Sequence, residues 1–478
     1  MKKFETLIVV VILILAFTLR LYKLNNPIAD WHSWRQADTA AVARNFVKDH
    51  FNILYPQSDS LTPLNEYGLQ NPNRYFINEF PLYNSLVAIL YGIFGINPAL
   101  ARLLSIFFAT VGTLFLYLLA KRLFGLKVAI LAAFFYATNP FNIYYGRVVM
   151  PDPMYIAFSI ISLYFFLNWV ASKKITSVIL SSVFLSLAIL VKPYAIFLFV
   201  PITYWLVVNW GLSFWKNKQV IVFLTISLLP FLLWRIHVFN HPEGTFATTW
   251  LYNTGNIRFT GAFFRWLIFE RLNRLIFATG AFVLLVIGLT KSYTTKNGSL
   301  ISMWLLSVIL YMIVFAKGNV THDYYQLPLM APGSILVAMG VFAMVNFSQK
   351  TYVKFLNSAI ACFLLILSFA FGWYEVRGFY NINHPEIVAA GQAADKLLPN
   401  TAIVIAPYDD DPTFLYQTNR FGYTKIDRPI SKFLDAGAQY LVSVNPNDSQ
   451  ISSLTKNCDV LEKSPEYVII KLNVNCIK

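Results

Sequence analysis

Apolar positions recur along most of this chain in unbroken runs rather than at the 3.6-residue spacing of a surface helix. The runs occupy residues 7–21, 99–120, 127–145, 153–170, 176–191, 193–210, 219–238, 274–290, 299–316, 326–346 and 354–373. Each approaches the ~20 residues that a helix needs to cross a hydrocarbon layer of ~30 Å. Eleven membrane-spanning helices are therefore expected. The first run follows Met-Lys-Lys and has no small-residue cleavage site before Asp30, so it reads as an uncleaved span.

A twelfth apolar stretch, 81–95, decides the topology, because counting it as a span reverses every later loop. If it does not cross, the inside segments are 1–4, 121–127, 171–175, 211–218, 291–298 and 347–354. All carry at least two Lys or Arg and none carries an acid, which is the bias expected of cytoplasmic loops. The stretch 81–95 is accordingly read as a juxtamembrane helix on the outer surface. The outer face then receives the loop 23–98, the turn 146–152, the joint at Lys192, the loop 239–273, the turn 317–325 and the C-terminal tail.

From about residue 383 the pattern changes. Short apolar runs at 402–406, 440–444 and 467–472 read as strands, and 386–398, 412–418, 429–436 and 448–455 as helices or turns. A tail of this length can bury a small α/β core. The expected organisation is thus a helical membrane domain over 1–375, including the external loop 23–98, followed by an extracytoplasmic α/β domain over 383–478. Asp409-Asp410-Asp411 precedes Pro412, a pattern read as helix capping in preference to metal binding. Cys458 and Cys476 both lie in the tail and are free to pair if it is extracytoplasmic.

Composition agrees with this picture. Hydrophobic residues make up 57% of the 478 and charged ones 13%. The formal net charge of +15 would suggest a nucleic-acid partner in a soluble chain. Here the basic residues fall largely in short links between spans, so topology accounts for them and no nucleic acid is implied. No Cys/His spacing resembles a zinc site, and no internal repeat or Gly-rich phosphate loop is present.

The polar groups assigned to the outer face carry the chemistry. The first loop opens with DWHSWRQAD, supplying Asp30, His32, Arg35 and Asp38, and continues to Glu79 before the surface helix. Arg147 and Asp152 share the next outer turn. Lys192 interrupts apolar sequence running from Ile175 to Val208, and His322 and Tyr325 open a later span. An ionisable group in such a setting is expensive unless it meets a partner, a cavity or the interface. Carboxylates able to take a proton from a hydroxyl, beside cations able to hold a phosphate, fit the cleavage of a lipid phosphate–sugar bond. Each residue also has a structural reading: Lys192-Pro193 as a tight turn, Arg147 as an interface anchor, Asp152-Pro153 as a helix cap, His322 as a hydrogen-bonded structural group, and Trp31 and Trp34 as belt aromatics.

Five strings in order, DWHSWRQADTAAVARNF, NEFPLYNSLVAILYGIFG, RVVMPDPMYIAF, LVKPYAIFLFVP and HDYYQLPLMAP, resemble the GT-C fold membrane glycosyltransferases, specifically the family 39 or protein-mannosyltransferase-like group that includes the aminoarabinose transferase of lipid A. The resemblance covers roughly residues 1–370. It implies a polyprenyl-phosphate-linked sugar as donor, work at the outer face, and a glycan, lipid or protein hydroxyl as acceptor. It makes Asp30 the acceptor base or orienting acid, Glu79 and Asp152 further site acids, and Lys192 and His322 groups facing the lipid phosphate. His32, Arg35, Arg147 and Tyr325 join the expected substrate-binding set. The Asp-Glu pair of many relatives falls here on Arg35-Gln36, which leaves Asp30 and Asp38 as alternatives for the base, with Asp30 preferred. A divalent metal is an open possibility, with Asp30, Glu79 and Asp152 as its ligands if present. The competing reading from another class is a transporter or flippase of a lipid-linked saccharide. That reading expects ionisable residues near mid-span and two related halves, and the sequence has almost none of the former and none of the latter.

Overall fold

The computed structural model describes residues 2–63 and 65–477. The chain folds into two compact units. The first comprises residues up to Leu24, Arg102–Ile236 and Thr248–Phe379; the second comprises Asn25–Ala101, His237–Ala247 and Tyr380 onward.

The first unit carries the membrane helices. Among the described residues, eight helices of the chain are long and apolar enough to cross a membrane. A ninth candidate is the pair Gly261–Ile276 and Gly280–Ser292, bent by 114°. The bend falls at Ala278 and Thr279, whose φ values of 44° and 57° are left-handed and cannot continue a right-handed helix. Two shorter apolar helices, Leu126–Thr138 and Ile175–Val191, fall on two further expected runs. Both are cut short by proline. Pro140 follows Asn139, whose side chain accepts from the Asn142 amide and caps a new helix Pro140–Tyr145. Pro193 follows Lys192 and opens a 3-10 turn through Leu198. A proline ring has no N–H to give the helix and restricts the residue before it, so each span ends where its proline begins.

The helices Gly280–Ser292 and Met330–Val345 approach most closely at two facing glycines. A Cβ on Gly288 would lie 1.9 Å from the Leu336 carbonyl oxygen, and one on Gly340 would lie 1.9 Å from that of Leu284. Absence of a side chain lets the two backbones touch, and in lipid this contact is the main source of association between helices.

The second unit is built on a five-stranded sheet with order β2-β1-β3-β5-β4, where β1 is Ile403–Ile405, β2 Phe421–Tyr423, β3 Tyr440–Ser443, β4 Asp459–Lys463 and β5 Val468–Lys471. Strand β1 pairs in parallel with β2 and β3, and β5 runs antiparallel to β3 and β4. Helices Pro385–Leu397 and Pro412–Gln417 bury Ile387, Ala390, Phe414 and Leu415 with Val404, Val442 and Ile469 on one face. Helices Ile430–Asp435 and Ser449–Asn457 bury Phe433, Ile451 and Leu454 with Ile405, Leu441 and Ile470 on the other. Cys458 and Cys476 form a disulfide beside this second core. Asp411 caps the helix at Pro412 by accepting from the Thr413 amide at 2.8 Å, and Asp410 accepts from Thr424 and Lys425.

The segment 25–101 is part of the same unit. Leu61 N donates to Gly422 O at 2.7 Å and Gly422 N to Asp59 O at 3.0 Å, which adds residues 59–61 to the free edge of β2. Arg44, on the helix Ser33–Lys48, pairs with Asp59, lies over the Tyr416 ring and donates to the Tyr416 carbonyl at 3.1 Å. The helix Leu82–Phe94 is ~20 Å long, too short to cross. It buries Tyr83, Val87, Ala88 and Tyr91 on one face and exposes Ile89, Ile93 and Phe94 on the other, the two-sided pattern of an interfacial helix.

Gly288→Leu is expected to lower stability by ~1–3 kcal/mol or more through overpacking, read as a reduced thermal midpoint of the purified protein in detergent. Gly261→Ala, where a Cβ meets nothing within 4 Å, is the control and leaves the midpoint unchanged. Equal midpoints for the two variants would show that the glycine contact does not hold the helices.

Candidate functional site

In the first unit the polar residues collect where helices break. Lys192 terminates the helix Ile175–Val191 with an extended backbone (φ −144°, ψ 110°). It is 2% exposed, and its Nζ stands 3.9 Å from Oδ2 of Asp152, also 2% exposed. Asp152 begins the helix Asp152–Ser172, where the positive end of the helix dipole favours a carboxylate. Lys192 therefore does not snorkel to the headgroups: its ammonium is buried opposite an acid. Beyond these two residues, Tyr155, Tyr194, Trp304 and Tyr311 line a narrow aromatic crevice. Tyr194 also packs 5.5 Å from Tyr325.

His322 lies among Trp250, Tyr324 and Tyr325, with ring centroids 5.7, 5.5 and 5.6 Å away. Its neighbour Asp323, buried to 2% exposure, accepts from the Tyr145 hydroxyl and sits 3.6 Å from Arg271 Nη1. Neither Asp323, Tyr145 nor Arg271 was singled out from sequence. Asp323 adjoins the His322 motif, and an acid opening an apolar helix was the available signal. Arg147 is fully buried, and its Nη1 donates to the carbonyls of Tyr22 and Lys23 at 2.9 and 2.7 Å. Its guanidinium serves the main chain at the end of the first span.

In the second unit, Asp30 is buried and accepts from Gln36 Nε2 at 2.6 Å; the same amide donates to the Trp31 carbonyl at 3.1 Å. His32 precedes the helix Ser33–Lys48 with a left-handed backbone (φ 56°, ψ 37°), and its ring lies 5.0 Å from Trp31. Arg35 and Glu79 form an ion pair. Two residues expected separately, one at each end of the loop, are thus partners. Asp38 is buried one turn along from Arg35. Burial pushes its carboxyl up to about 8, against the pull of Arg35, and the nearby Asp411, Asp59 and Asp410 add to the rise.

Residues 78–236 match the family model for dolichyl-phosphate-mannose-protein mannosyltransferases. No curated protein sequence matches the chain. Among solved structures, it is similar to ArnT from Cupriavidus metallidurans bound to undecaprenyl phosphate, with a TM-score of 0.65 and 14% identity over 100% of this chain and 99% of that one. The GT-C fold is established. The Archaeoglobus fulgidus oligosaccharyltransferase in complex with Zn and sulfate matches the chain with a TM-score of 0.59 and 12% identity, over 93% of it and 69% of the other. Arabinofuranosyltransferase AftD from Mycobacteria matches with a TM-score of 0.59 and 14% identity, over 100% of this chain and 42% of its own length. The chain is a multi-pass membrane protein by its membrane-length apolar helices and its fold, and the family-model match spans Glu79, Arg147, Asp152 and Lys192.

Among the described residues, no three or more His, Cys, Asp or Glu side chains are grouped so as to hold a metal ion.

Asp38 gives a pH signature. Its folded value of about 8 lies above its ordinary value of 3.8, so the folded state binds the extra proton between them. Stability from this group is complete below about pH 4 and is lost as pH rises to about 8. Asp38→Asn mimics the protonated form. Its thermal midpoint is expected to exceed that of the parent protein at pH 8 by roughly 2 °C or more, with the two curves converging below about pH 4. A parallel offset at both pH values would mean that Asp38 does not titrate in this window.

Proposed function

We propose that this chain transfers a sugar from a polyprenyl-phosphate-linked donor to a hydroxyl of a cell-envelope lipid, glycan or protein at the outer face of the membrane. The observation that carries the reading is the buried Lys192–Asp152 pair at the ends of two apolar helices, set in a fold matched end to end by a structure holding a polyprenyl phosphate. A dolichol-phosphate accompanies the Archaeoglobus fulgidus oligosaccharyltransferase AglB in a further similar structure, with a TM-score of 0.56 and 11% identity.

The chemistry assigns the roles. In a single displacement the acceptor oxygen bonds to the anomeric carbon as the bond from that carbon to the phosphate oxygen breaks. The hydroxyl proton passes to a carboxylate, and the departing lipid phosphate gains one negative charge. Lys192 is the group that meets this charge, because a buried ammonium stabilises a growing anion far more than a solvated one does. His322 and Tyr325 bind beside the phosphate and the sugar. Asp30 is the acceptor base, and Asp38, whose carboxyl burial raises to about 8, is the alternative for that task. Glu79 orients Arg35, and Asp152 holds Lys192. Arg147 anchors the turn that presents Asp152. His32, beside Trp31, is assigned to acceptor binding.

The outer-face assignment rests on the basic links between spans and on the disulfide of the second unit, since disulfides persist in oxidising compartments. The transport reading gains no support from the comparisons.

The test incubates purified full-length protein with a panel of polyprenyl-phosphate sugars and reads release of the carrier phosphate. Asp30→Asn is expected to reduce release by roughly 10²-fold or more with the fold retained, and Lys192→Ala by a similar factor. Parent-like turnover by Asp30→Asn would remove it from the mechanism, and no release from any donor would reject the transferase reading.

A further inference from the structure

The end of the first unit opposite the Lys192–Asp152 pair has its own cavities. A cavity of about 910 Å³ opens among the ends of the helices Pro98–Phe124, Gly280–Ser292 and Met330–Val345 and the start of Thr351–Val376. Its polar lining comes from Thr290, Lys291, Thr294, Thr295, Asn346 and Asn357. A second cavity of about 660 Å³ is lined by Leu7, Val11, Leu15, Ile130 and Phe134, with Lys127 as its one charged residue. Phe342 lines both, so the two are adjoining. The second cavity has a physical cause. The helix Leu126–Thr138 spans only ~20 Å of a ~30 Å hydrocarbon layer, and the first span runs past it with apolar residues uncovered.

The charge lining these cavities has one sign. No acidic residue lines either cavity. Among the described residues, the side chains of Lys127, Lys291 and Asn346 meet no ion-pair or hydrogen-bond partner. Thr290, Thr294, Thr295 and Asn357 line the first cavity beside Lys291 and Asn346, and the neighbouring links add Arg122, Lys296, Lys350 and Lys354, while Lys121 pairs with Glu5 of the first span. By the positive-inside rule this is the cytoplasmic end.

We propose that these adjoining cavities bind one anionic diacyl phospholipid of the cytoplasmic leaflet, its phosphate between Lys127 and Lys291 and one acyl chain along the groove between the first span and residues 130–134. Acyl chains gain little from leaving other acyl chains, so selectivity comes from the headgroup. Basic pockets between spans on the cytoplasmic side are suited to such headgroups. The site is separate from sugar transfer and stands whether or not that reading does.

The test uses delipidated full-length protein and native mass spectrometry with phosphatidylglycerol, phosphatidylcholine or undecaprenyl phosphate. One retained phosphatidylglycerol is expected, favoured over phosphatidylcholine, with occupancy falling roughly 5–30-fold in Lys127→Ala/Lys291→Ala. Leu131→Trp fills the groove and lowers occupancy with both lysines in place. Equal retention of the two diacyl lipids, or a double variant that retains phosphatidylglycerol as the parent does, overturns the proposal. So does undecaprenyl phosphate displacing phosphatidylglycerol at equal concentration. A photoreactive phosphatidylglycerol keeps the test independent of variant folding: labelling confined to residues 287–295 and 342–347 and to the first span supports the site, and labelling spread evenly over the lipid-facing helices rejects it.

Discussion

In a membrane domain every break in a helix frees carbonyls that water cannot reach, and each must find a donor. The first unit meets this constraint with buried arginines. Arg20 donates to the carbonyls of Ala16, Ala137 and Asn142, Arg102 to Leu24, and Arg147 to Tyr22 and Lys23. All three are fully buried. Asn139 donates to the Ile276 carbonyl, Ser368 to Phe277 and Arg258 to Ile313 and Val314. With their carbonyls satisfied, the breaks at Asn139 and Ala278 become stable features. That is what allows charged chemistry to sit at helix ends, because the polar residues there are held by neighbouring backbone rather than by solvent.

The second unit solves a different problem. A long loop following a single span has too little apolar material to fold alone. Here it borrows the tail: Ala29 enters one core of the sheet, Leu61 packs against the other, and Arg44 ties the loop helix to Asp59 and Tyr416. Asp38 is the cost of this packing. Closing the loop against the tail leaves a carboxyl among other acids in a dry setting, and it keeps its proton.

Much of this was legible in the chain. The apolar runs marked the helices because a bilayer demands length and composition together, and Pro193 marked where one of them stops, while the run 127–145 was read through Pro140, where the structure breaks it. Strands β1, β3 and β5 stood out as apolar runs, and the helices between them were found within a residue or two. Strand β2 was missed because its three residues carry no alternation, and β4 because its side chains are mostly exposed. The 114° bend was invisible: Ala278 and Thr279 are not residues that announce a left-handed backbone. Arg35, Glu79, Asp152 and Lys192 were selected from sequence for their chemistry, but the pairing of Arg35 with Glu79 and of Lys192 with Asp152 depends on contacts across 44 and 40 positions. No local pattern encodes such separations.

The pairing of residues 59–61 with β2 also sets an order of events. Synthesis delivers Asp59 long before Gly422 exists, so the loop must wait while the remaining spans are made. Completion of the sheet is a late step that joins an early and a late part of the chain. A polypeptide halted before its final hundred residues would therefore leave a full set of membrane helices and an unsupported first loop.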